Sequence, residues 1–268
     1  MDIDDILASV DRDDVSAPES TALDHQLLTR FWVSERAVSE LLPWPGPLMD
    51  RMMDRVRRQI EAIEDLAASA SDPFSASTTP ATHNQSLNLK LSILQTDLAR
   101  TQYLIRSLLR QRLSKITKHS MHYLLLVSPS NPDSSMASSQ QTTQQPEDSI
   151  PDPATSTNPS PLSPQEAAFL HAHQTLLAGH YGASFLSAFP PQLRRLDDNA
   201  GGTSMVQGPG MKEVVFVRCL VEEVRVVVPP GDGVDEEMHG TTMRMGDVWV
   251  VRWEGIRSAW ERGDVEVL

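Results

Sequence analysis

The hydrophobic and polar positions along this chain change period twice, and the changes divide it into parts. From about residue 23, Leu27, Leu28, Phe31, Trp32, Val38 and Leu41 recur at helical spacing. That run predicts an amphipathic helix stopped by Pro43 and Pro45. A second helix is expected after Pro47, with Met49, Met52, Val56, Ile60 and Ile63 in register. Residues 69–84 are polar, contain Pro73 and Pro80, and read as a loop. A third stripe, from Leu87 and Leu91 through Leu94, Leu98, Ile105, Leu109 and Leu113 to Ile116, predicts one long helix running to about Leu126. Residues 128–161 are almost wholly Ser, Thr, Pro, Gln and Asn, which predicts a disordered insertion. Directly after it, Ser163, Pro164 and Glu166 give an N-cap, a proline at N1 and the third residue of a capping box. They predict a fourth helix carrying Phe169, Leu170, His173, Leu177, Tyr181, Phe185 and Phe189.

Past a glycine-rich joint at 199–212 the period becomes 2 or the run becomes continuously β-branched. Strands are expected at Val214–Val221, Val224–Val228, Val248–Trp253 and Val265–Leu268. A short helix is expected at Gly255–Arg262 and a long acidic loop after Pro229. The predicted fold class is therefore α+β: an N-terminal all-α helical bundle at 23–198 with four main helices, one of them long, then a small β-rich domain at 213–268. Residues 1–22 form an acidic tail in which Ile3, Ile6, Leu7 and Val10 would share one helical face. Alone such a segment is too short to stay helical, so it is expected to be disordered until a groove receives it.

Composition narrows the classes of function. One cysteine, Cys219, excludes a disulfide framework, and with a single thiol a zinc site would need a carboxylate cluster that the spacing does not offer. No run of 18 apolar residues and no basic leader appear, so neither a membrane span nor a signal peptide is expected. A formal net charge of −13 argues against a chain devoted to nucleic acid. No P-loop, nucleophile elbow or HExxH motif occurs, so no catalytic residue, metal ligand or cofactor site is assigned and no enzyme activity is expected. His171 and His173 point to opposite faces of a helix, while His173 and His180 read as interface histidines. His119 and His122 would end the long helix, where its dipole favours cations. That helix is basic, carrying Lys90, Arg100, Arg106, Arg110, Arg112, Lys115 and Lys118 against Asp97. The favoured reading is a helix that pairs with acidic partner helices, with Arg106 and Arg110 buried as carboxylate forks. The alternative is a helical nucleic-acid-binding protein that uses this helix directly.

Four blocks taken together resemble the Sld-five subunits of GINS, in a fungal form. They are Trp32–Arg36 with Glu40–Pro43, Leu89–Gln95 with Tyr103–Ile116, Leu162–Glu166 through Phe189–Leu193, and Val215–Arg218 with Gly246–Leu268. The resemblance implies a non-catalytic structural subunit of a heterotetramer with the three Psf proteins, nuclear, acting in initiation and elongation of DNA replication. It further implies the MCM ring and the Cdc-forty-five protein as partners in the replicative helicase, without direct sequence-specific nucleic-acid binding. It points to Trp32, Leu41, Leu98, Arg106, Arg110, Leu113, Tyr181 and Phe185 as subunit-interface residues. The tail at Ile3, Asp4, Asp5, Ile6 and Leu7 resembles the peptide by which yeast-type members bind a Ctf-four-type trimeric hub. The apolar members would enter the groove and the two aspartates would meet its rim.

Overall fold

The computed structural model describes residues 18–71, 81–127, 161–190, 194, 206–228 and 239–268. Among these, helices precede strands. Helix α1 spans Pro18–Ala37, α2 Gly46–Ser71, α3 Ala81–Lys118 and α4 Ser120–Val127. Helix α5 spans Pro164–Ser184 and is followed by a 3-10 turn at Leu186–Ala188. Strands β1 (Val214–Cys219), β2 (Glu223–Val228), β3 (His239–Arg244) and β4 (Val248–Arg252) then lead into helix α6 (Trp253–Glu261) and strand β5 (Val265–Val267). The predicted α+β class with a helical bundle first is what the structure has. The hub-peptide residues Ile3, Asp4, Asp5, Ile6 and Leu7 and nearly all of the insertion lie outside the described residues.

Three local expectations are corrected. Helix α1 ends at Ala37, so Val38, Leu41 and Leu42 belong to the following turn, where all three are buried. The long helix breaks at His119 instead of running on to Leu126. The 38 residues of α3 reach about 57 Å at the usual rise. The hydrogen bonds from His119 N to Lys115 O and from Tyr123 N to His119 O continue across the break. Strand β3 lies in His-Gly-Thr-Thr-Met-Arg, a polar stretch with too few β-branched apolar residues to register by pattern.

By contacts the described residues gather into two compact units, divided within α3 between Leu109 and Arg110. In the first unit, Leu28, Met49, Met52, Val56, Leu94, Ile105 and Leu108 are buried. Polar groups are tied into that core. Arg51 makes a two-pronged bond to Asp24 (2.7 and 2.8 Å), and Gln59 Nε2 donates to Leu94 O and to Asp97 Oδ2, each at 3.1 Å.

In the second unit, Leu41, Ile116, Tyr123, Leu124, Val127, Leu162 and Leu170 form one apolar cluster. The strands make a three-stranded sheet in the order β4-β1-β5 and a separate antiparallel hairpin β2-β3. β1 and β4 run antiparallel, with Phe216 opposite Val250 and Val217 opposite Trp249. The buried members of β1 are Val215, Val217 and Cys219. Helix α6 buries Trp253, Ile256 and Ala259. It packs so near β2 that a Cβ on Gly255 would lie 2.8 Å from Val227 O.

Candidate subunit interface and the buried arginine beneath it

Chemistry is concentrated around Arg112, which α3 carries into the second unit fully buried. Its Nε and Nη2 donate to Glu166 Oε1 and Oε2 at 2.7 and 2.9 Å. Nη1 donates to Leu42 O at 2.8 Å and Nη2 to Pro161 O at 3.0 Å, while the guanidinium lies 5.1 Å from the centre of the Trp44 ring. A charge this deep is tolerable only when its donors are matched by acceptors, and here they are. Glu166 is also the capping residue of α5. Its Oε2 accepts from Ser163 N at 2.8 Å, and its own N–H donates to Ser163 Oγ at 3.2 Å. The capping box expected from Ser163, Pro164 and Glu166 is therefore present, and its carboxylate is shared with the arginine.

The turn after α1 is held by the same region. Lys115 Nζ donates to Glu40 O at 2.8 Å, and the Tyr123 hydroxyl accepts from Leu41 N at 2.9 Å. The Glu40 carboxylate accepts from Trp253 Nε1 at 2.8 Å and pairs with Arg257 at 3.0 Å. Behind that carboxylate lies a cavity of about 760 Å³ whose lining includes His122, Tyr123, Leu126, Trp253 and Trp260. His122 falls in the first turn of α4, not at the end of a continuous helix. Burial pushes its pKa below the usual histidine value, with the nearby His119 adding to the effect and Glu40 opposing it. The dipole argument for a cationic His122 thus does not hold. His119 Nδ1 lies 3.1 Å from Gln207 O.

On this scaffold α5 has its buried line at Glu166, Leu170, Gln174 and Ala178, a four-residue step. Gln174 Nε2 donates to Ser120 Oγ. Of the residues that the sequence singled out on this helix, Leu170 is buried, His173, Leu177 and Tyr181 are half-buried, and three aromatics are exposed. Phe169 (40%), Leu176 (70%), Phe185 (51%) and Phe189 (44%) all face outward. Ring centroids step along this side at 5.7 Å for Phe169–His173, 5.6 Å for Tyr181–Phe185 and 6.3 Å for Phe185–Phe189. An aromatic ridge of this kind is apolar surface left for another molecule.

The other sequence-selected residues divide. Arg106, Arg110 and Leu113 are exposed on α3, and Leu98 is half-buried. Arg106 reaches only Gln102 Oε1, at 3.4 Å, within this chain, and the carboxylate fork that the described residues do hold is made by Arg112. Trp32 is half-buried and its indole N–H donates to Ser107 Oγ at 2.9 Å. Leu41 is 2% exposed and belongs to the core cluster, so it presents no side chain to a partner. Sequence reasoning missed Glu40 and Arg112 as organisers. The sequence clue was that each stands one or two positions from an apolar register, where a helix or turn carries it inward.

Comparison with known proteins decides the family. The family described as "GINS complex protein helical bundle domain" matches residues 58–185, and that described as "DNA replication complex GINS protein SLD5 C-terminus" matches 209–268. A Chaetomium globosum protein named "DNA replication complex GINS protein SLD5" is 34% identical, across all of both chains. The chain belongs to the SLD5 family. SLD5 relatives of the same printed name include one from Yarrowia lipolytica, 33% identical over 98% of this chain and 84% of its own. Another, from Schizosaccharomyces pombe, is 28% identical over 96% and 99%. Among the described residues no helix is long and apolar enough to cross a membrane, and no group of three His, Cys, Asp or Glu could hold a metal ion.

Proposed function

We propose that this SLD5-family chain is a non-catalytic structural subunit of a nuclear GINS heterotetramer, assembled with the three Psf proteins and acting in DNA replication. Full-length similarity to proteins named as GINS subunits carries the reading. The outward aromatic ridge of α5 supports it, because exposed aromatics in a row suit a protein made to be covered. The interface proposed is Leu98, Arg106, Arg110, Leu113, Tyr181 and Phe185, with Trp32 at its margin. In this reading the tetramer joins the MCM ring and the Cdc-forty-five protein in the replicative helicase. The tail residues Ile3, Asp4, Asp5, Ile6 and Leu7 dock to a Ctf-four-type hub.

Co-expression with the sister chains is expected to give a one-to-one complex, and the chain alone poorly soluble protein. A monodisperse, cooperatively folding monomer would overturn the proposal. For the tail, the double change Ile6→Ala and Leu7→Ala is expected to abolish hub capture while the tetramer elutes unchanged. Loss of the tetramer in that variant would place the tail in the core interface instead.

One observation keeps a second reading alive: Arg106 and Arg110 are exposed and neither makes an ion pair among the described residues. If they grip phosphates, DNA affinity of the tetramer falls steeply with salt, and charge reversal at both positions flattens that slope. A flat response in the parent complex removes the nucleic-acid reading.

A further inference from the structure

Inside the second unit, a seam separates the helical part from the strand-rich end. The apolar cluster described above runs from Leu41 to Leu170 and takes no member from the strands or from α6. The strand-rich end has buried residues of its own, among them Val217, Val226, Met243, Trp253 and Ile256. Where the two parts meet lies the cavity of about 760 Å³, with Pro43 and Tyr123 on one side and Trp253 and Trp260 on the other. Protein interiors hold few voids larger than a water molecule, so a space of this size removes packing contacts from the seam. The Glu40 carboxylate spans it instead. Its Oε2 accepts from Trp253 Nε1 at 2.8 Å, and its Oε1 lies 3.0 Å from Arg257 Nη1.

The chain that enters the strands is tied to the helical part as far as Gly210. His119 Nδ1 meets Gln207 O at 3.1 Å, and Ser39 Oγ donates to Gly210 O at 2.5 Å. From Met211 onward the ties belong to the strand-rich end: Met211 O accepts from Glu254 N at 3.1 Å and Glu213 O from Trp253 N at 2.9 Å. A glycine therefore stands at the changeover, where a backbone rotation is absorbed most freely.

We propose that Glu40 is a releasable latch: when its carboxylate lets go of Trp253 and Arg257, the strand-rich end turns about Gly210 as a folded body and the cavity opens. Arg257 is built for the release. It is 45% exposed and its Nε also meets Glu261 Oε1 at 3.1 Å, so it keeps a carboxylate partner after Glu40 has left. The main chain of Glu40 stays in place, because Lys115 Nζ donates to Glu40 O at 2.8 Å. Release is thus a side-chain event, and any group that binds the opened form better than the closed one shifts the population toward it. The latch is a property of this chain and does not rest on the GINS reading.

The test uses the complex co-expressed with cysteine-free sister chains, spin-labelled at Thr117→Cys on α3 and Ser258→Cys on α6, both exposed positions. Cys219 is buried and gives a low background. Pulsed electron-spin distance measurement on the parent is expected to give one narrow distribution. Glu40→Ala is expected to raise a second population at a different distance about threefold or more above the parent's. Arg257→Ala is expected to raise it less, because the Trp253 bond remains. Helix content and elution of the complex are expected to stay unchanged in both. A Glu40→Ala distribution as narrow as the parent's overturns the latch. So does a Glu40→Ala chain that loses its helix content or its place in the complex, since the carboxylate would then be a tie on which folding depends. Failure of the parent to assemble falls on the GINS reading alone, and the same distance is then measured on the full chain by itself.

Discussion

Arg112 shows how much one side chain can fix. Its donors reach Leu42 in the turn after α1 and Pro161 and Glu166 at the start of α5, two segments far apart in sequence. Arg112→Ala leaves the buried Glu166 carboxylate without its partner. It is expected to cost about 3–5 kcal/mol, read as lost denaturant resistance of the assembled complex. Arg112→Lys restores a charge but not the two-pronged geometry, so it is expected to recover only part of that. Two half-buried histidines set a pH dependence. Burial is the leading cause that lowers the pKa of both His122 and His25. Asp97 opposes it at His25, where Arg55 and Arg100 add to it. The unfolded chain then binds more protons than the folded one between each folded pKa and about 6.5, so folded stability is lost as pH falls through that window. The melting temperature is expected to drop on acidification from pH 7.5 to 5.5. His122→Gln is expected to flatten part of that slope, and a variant as steep as the parent would assign the pH response elsewhere.

At the scale of elements, close packing and turns make sharper demands than the hydrophobic pattern reveals. Gly255→Ala puts a methyl 2.8 Å from Val227 O, and the α6–β2 contact must open to admit it. A loss of about 1–3 kcal/mol is expected by thermal or chemical unfolding. Gly246, between β3 and β4, has φ +84°, and alanine there is expected to cost about 1 kcal/mol. Which elements were legible from sequence follows from the same physics. The start of α5 was readable because its cap is local, written in Ser163, Pro164 and Glu166. Strands β1, β2 and β4 were readable from their valines. Strand β3 was not, because its polar residues are held by pairing with β2, a partner that pattern alone does not name. Which side of α5 is buried was not legible for a related reason. Phe169 and Leu170 are equally apolar, and only packing against Tyr123 and its neighbours decides which one is core. Likewise Arg112 did not stand out from the other basic residues of α3, because nothing in helical period shows which arginine a turn 70 residues away will meet.

For the molecule as a whole, the insertion is bracketed by fixed points. Val127 and Leu162 are both buried in the same apolar cluster. Shortening a loop whose ends are already held together changes its closure entropy only logarithmically. Replacing residues 131–160 by a short Gly-Ser link is therefore expected to shift stability by no more than about 1 kcal/mol, measured on the assembled complex. A larger loss would mean that those residues contribute contacts of their own.

The shared Glu166 carboxylate carries one more implication. Because one carboxylate caps helix α5 through Oε2 and receives the arginine of α3 on both oxygens, neither event is complete without the other. Winding of the helix and its docking should thus be a single cooperative step, and α5 should not fray from its N-terminus as isolated helices do. Hydrogen exchange at the first amides of α5 should track opening of the whole second unit, and a Glu166→Gln chain should lose that coupling before it loses the helix.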